Sequence, residues 1–65
     1  MSERRFPDPA GALAVIEREL AAARREMQAG RLEEAAAHAA FARGISHEFE
    51  AACREVRARQ VAANR

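Results

Sequence analysis

The 65-residue sequence predicts an all-α fold, an antiparallel two-helix hairpin that dimerises into a four-helix arrangement. Three observations carry that expectation. Alanine is abundant, which favours helix strongly but buries little area per residue. Apolar residues recur at helical spacing on both sides of Gly30, the one clear break in the pattern. The stretch after that glycine is longer than the one before it, so the arms of the hairpin do not match and the overhang calls for a partner.

Taken in order, residues 1–8 form an N-terminal arm and residues 9–63 the helical hairpin, with one helix over 9–29, a turn at Gly30 and a second helix over 31–62. In the arm, Phe6 stands between charged residues and Pro7, as a tail or as an anchor folding back on the hairpin. Asp8 before Pro9 is a start signal: a side chain that can accept from the first free amides, then proline at the first helical position. In the first helix Leu13, Ile16, Leu20, Ala23 and Met27 form a heptad seam. Glu17, Arg18, Glu19, Arg24, Arg25 and Glu26 fall on its flanks and far side. Gln28-Ala29-Gly30 closes the helix.

The second helix carries a broader apolar face. One row runs Leu32, Ala35, Ala39, Ala42, Ser46, Phe49, Cys53, Val56, and a parallel row adds His38, Phe41, Ile45 and Ala52. At ~100° per residue these fill an arc of about 160°, wider than one partner helix covers. Pairing back from Gly30 sets Met27 near Leu32, Leu20 near Ala39 and Leu13 near Ser46. At 1.5 Å per residue the helices span about 30 and 45 Å, which leaves Phe49, Ala52, Cys53 and Val56 at or beyond the end of the first. These four form the expected dimer interface. Phe41, Ile45 and His38, with Arg43 and Arg31 at the rim, are the expected anchors for a protein partner, because large apolar and arginine side chains dominate interface energetics.

Gly44 raises an alternative of three short helices, with Ser46 capping a new one ahead of Glu48 and Glu50. Against it, the row Phe41, Ile45, Phe49 crosses Gly44 without a phase shift, so one continuous second helix is expected. Gly-Ile-Ser at 44–46 also suggests the turn of a helix-turn-helix unit. The following helix would then open with Glu48 and Glu50 where phosphate must lie, which argues against base reading.

The stretch Gly30-Arg31-Leu32-Glu33-Glu34-Ala35 resembles the turn and second-helix start of a tetratricopeptide repeat, with Ala42 where that repeat prefers a small residue. Glu19 and Glu26 occupy two positions that the repeat reserves for its core, and one hairpin cannot build an array. The likeness is a shared solution for a tight helical turn.

Composition narrows the function classes. All eleven basic residues are arginine, which with the alanine excess suggests a GC-rich bacterial or phage genome. Ten acids offset them to a formal charge of +1, so no global basic field recommends nucleic acid or an anionic membrane as partner. Arg54, Arg57, Arg59 and Arg65 make the tail basic but point in different directions around the helix. One cysteine, Cys53, excludes an intrachain disulfide framework and suits a reducing compartment. No signal peptide or membrane span is expected, which makes the chain cytoplasmic. Metal-binding spacing is absent: Glu34 and His38 are four apart, where di-iron bundles use Glu-x-x-His. With no nucleophile–base pair and no phosphate-binding glycine loop, neither an enzyme nor a cofactor is expected. What remains is a homodimeric protein-interaction module, a small bacterial or phage-encoded regulator that inhibits or modulates a partner such as a host transcriptional regulator. Short chaperone subunits of type III secretion are similar in length and in their two alanine- and arginine-rich helices, and supply a second reading. A dimeric RNA- or DNA-binding regulator is the third.

Overall fold

In the computed structural model, residues 8–64 are described, and the expectation for Phe6 lies outside them. Two helices, α1 (Pro9–Gln28) and α2 (Leu32–Ala63), pack against each other as a hairpin. Among the described residues no helix is long and apolar enough to cross a membrane.

Each boundary has a local cause. Asp8 is extended, and its Oδ1 accepts from the Gly11 amide at 2.9 Å, with Pro9 preset at the first helical position. At the other end Gly30 takes φ +82°, the left-handed conformation that costs an L side chain about 1–2 kcal/mol. The Gly30 amide donates to the Met27 carbonyl at 3.0 Å and the Arg31 amide to the Glu26 carbonyl at 2.8 Å. Those two bonds are the Schellman pattern, which satisfies orphan carbonyls and reverses the chain at once. Arg31 opens α2 without a side-chain cap, and Glu33 and Glu34 in the first turn complement the helix dipole instead.

The second helix passes through Gly44 without a break. Ser46 does not start a new helix: its hydroxyl donates back to the Ala42 carbonyl at 3.0 Å, the bond of a serine inside a helix. Nothing lies within 4 Å of where a Gly44 Cβ would stand, so packing does not require glycine there.

The seam between the helices is thin. Among the described residues the buried apolar side chains are Ala12, Ala42, Ile45 and Ala52. Small side chains allow close approach but remove little apolar area from water, so the hairpin alone has a meagre core.

That seam differs from the expected one by one residue in each helix. The pairs expected to face each other were Met27 with Leu32, Leu20 with Ala39 and Leu13 with Ser46. Instead Glu26 bonds Arg31, and Glu19 bonds His38 through Nδ1 at 2.7 Å. These pairs share one antiparallel register, a step of seven back along α1 matching a step of seven along α2. The same step leads to Ala12 and Ile45, 0% and 2% exposed. One residue corresponds to ~100° of helical rotation. Leu13, Leu20 and Met27 are therefore turned out of the seam, while Glu19 and Glu26, placed on the flank by their charge, are half-buried within it.

Candidate functional site

The rotation assembles the feature that stands out. Leu13 is 40% exposed, Leu20 50%, Met27 55% and Leu32 65%. On α2 the exposed Ala39 and half-buried Ser46 continue the row begun by Leu32, at steps of seven. The rows expected to interlock between α1 and α2 thus lie side by side on one outer face. Several of the larger apolar groups are exposed while, among the described residues, three of the four buried ones are alanines, which is not the pattern of a self-sufficient core.

Glu17 and Arg24 border this face on the outer side of α1, both exposed. Together with Leu20, Ala21 and Arg25 they line a shallow hollow of about 430 Å³. With Leu20 half in solvent on its wall, the hollow is a surface feature and not an enclosed ligand cavity.

The residues expected to bind a partner are not on one surface. Ile45 is 2% exposed and belongs to the seam, because the one-residue rotation turns it towards Ala12. His38 is half-buried and held by Glu19, its Nδ1–H donating to the carboxylate. Phe41 remains 46% exposed, and Arg43 is exposed. Arg31 is exposed but engaged: its guanidinium donates to Glu26. That hydrogen bond holds the Glu26 carboxyl below its ordinary value of 4.5. Desolvation opposes the shift, and attraction to the Arg31 charge adds to it. The same pairing pushes Arg31 upward.

The residues expected at a dimer interface divide as well. Ala52 is 2% exposed within the single chain and so does not offer its side chain to a second copy. Phe49 and Val56 are half-buried, and Cys53 is an exposed free thiol. Leu13, Leu20 and Met27 were missed as surface residues because hydrophobic periodicity marks a stripe without saying what covers it. A signal was present in the sequence. Glu19 faces His38, and Glu26 faces Arg31, in a single register, and two complementary pairs in one register identify a seam.

Among the described residues no group of three or more His, Cys, Asp or Glu side chains is placed to hold a metal ion. No protein-family model matches this sequence, and neither curated proteins nor solved structures yield a match.

Proposed function

We propose that this chain is a non-enzymatic, homodimeric protein-interaction module, a small bacterial or phage-encoded regulator that binds another protein and inhibits or modulates it, such as a host transcriptional regulator. The observation that carries the reading is the inverted distribution of apolar groups. Leu13, Leu20, Met27, Leu32, Phe41 and Val61 are all at least 40% exposed, while the buried apolar residues among those described are three alanines and one isoleucine. Contiguous apolar surface is costly to leave in water, and on a small chain it marks a contact surface.

The surface has two parts suited to two tasks. The α1 row Leu13–Leu20–Met27 runs the length of the hairpin and suits a second copy. Phe41, on the other edge of α2, with Arg43 exposed nearby in sequence, suits the regulated protein. Cytoplasmic action fits this reading, since the partner would be a cytoplasmic protein.

The test is capture by the purified full chain followed by identification of what binds, with Phe41→Ala as the probe. The reading expects a defined protein retained by the wild-type chain, at least tenfold less by the variant, and unchanged helicity. Retention of RNA or DNA at about 100 mM salt, lost steeply by about 200 mM, would replace this reading with a nucleic-acid regulator.

A second reading rests on α2 extending past the start of α1. Its C-terminal part carries Val56, half-buried, and Val61, 49% exposed, which fits a secretion co-chaperone that shelters an apolar helix of its client. Protection of an aggregation-prone helical client at equimolar ratio, lost on Val61→Asp, would favour it.

A further inference from the structure

We infer that α1 packs antiparallel against α1 of a second copy, across a two-fold axis that passes through Leu20. This rests on the self-association proposed above and names the surface and register by which it occurs.

Three observations lead there. First, the exposed row is symmetric about its middle: Leu13 and Met27 each lie seven residues from Leu20, and all three are 40–55% exposed. An isologous contact needs a surface complementary to itself when turned by half a revolution. Turning this row about Leu20 sets Leu13 on the partner's Met27, Leu20 on its counterpart and Met27 on the partner's Leu13. The row on α2 runs alongside it: with Glu19 level with His38, Ala39 lies two residues' rise, ~3 Å, from the level of Leu20.

Second, the charges obey the same axis. Glu17 and Arg24 sit on one flank of the row, three residues before and four residues after Leu20, about one turn to either side. Among the described residues neither takes part in a salt bridge. The two-fold rotation brings Glu17 opposite Arg24 of the partner, and Arg24 opposite Glu17 of the partner. A dimer with its axis parallel to the helices would set α1 over the partner's α2 instead, parting Glu17 from the partner's Arg24. Opposite charges at the flanks of an apolar seam set orientation and partner choice in helical assemblies.

Third, the size is sufficient. A face ~30 Å long and two helices, ~20 Å, wide buries about 600 Å² on each chain. The sum over two chains, about 1,200 Å², is where specific interfaces begin.

The experiment joins a crosslink to a charge exchange, in the full chain with Cys53→Ser as background. Leu20→Cys with a bifunctional thiol reagent of about 8 Å reach is expected to give a covalent dimer in high yield, since paired helices lie ~8–10 Å apart. Arg18→Cys, on the opposite side of α1, is expected to give almost none. In chains without introduced cysteines, Glu17→Arg alone and Arg24→Glu alone should each weaken the dimer about tenfold, and the double exchange should restore it. A dimer in solution without the Leu20→Cys crosslink, or one indifferent to both charge reversals, would overturn this register while leaving self-association standing. A folded monomer at every concentration would overturn both. Because Glu17 and Arg24 are exposed, their exchange leaves the hairpin intact and the charge arm stays informative even if Leu20→Cys weakens packing.

Discussion

Replacing Gly44 by alanine should stabilise this protein, and the size of the gain follows from the position. Gly44 lies inside α2, its φ is not positive, and an added Cβ would meet no atom within 4 Å. The substitution therefore brings no strain and no overpacking. What it changes is backbone entropy, since glycine in a helix interior costs about 1 kcal/mol relative to alanine. For a small domain that corresponds to an upward shift of roughly 4–8 °C in the thermal midpoint. Far-ultraviolet circular dichroism at a fixed protein concentration reads it, the fixed concentration being needed because self-association raises the midpoint by mass action. An unchanged or lowered midpoint would refute the reasoning, showing that α2 bends at Gly44 or that another chain approaches its backbone closely.

Other expectations use different parts of the molecule. Gly30→Ala puts a side chain at φ +82° and should cost about 1–2 kcal/mol, lowering the same midpoint even though the space there is open. Ile45→Ala removes the largest group of the seam, 2% exposed, and should cost about 2–5 kcal/mol, enough to unfold much of the population in a chain this small. The Glu26 carboxyl is held low by Arg31, so its contribution is complete above the ordinary glutamate range and is lost as pH falls through the depressed folded value. Glu26→Gln should flatten the acid limb of a midpoint-versus-pH curve measured between about pH 3 and 7, and an unaltered limb would show the pair to be inconsequential. The effect should shrink with added salt because Arg31 is largely in solvent.

The features legible in the sequence were those decided by local chemistry. Asp8-Pro9 signals a helix start, Gly30 signals a left-handed turn, and uninterrupted apolar phase through Gly44 signals one helix. Each depends on interactions within a few residues, and each is observed. The rotation of the helices about their own axes was not legible in the same way. Periodicity placed Leu13, Leu20 and Met27 on a stripe, but the stripe points to whatever covers it, and two helices in isolation cover little. What decides the seam is the set of pairs that need each other at short range. Glu19 reaches His38 and Glu26 reaches Arg31, while Ala12 lets the backbones close. A carboxylate in a helix–helix seam looks misplaced on a hydrophobicity scale and is stable here because its partner stands opposite it. The anchor expected at Ile45 followed from the same rotation, and so it moved inward with it.

The central claim is that the exposed apolar row on α1 is covered by a second copy of this chain, and sedimentation equilibrium of the 65-residue chain tests it most directly. Across a concentration series through the micromolar range, the account predicts a mass of twice the 7.1 kDa of one chain. Leu20→Asp should shift that mass towards the single chain, because burying a charge on the axis without a partner is costly. A folded 7.1 kDa species at every concentration, equally helical with and without the Leu20 substitution, would contradict the account.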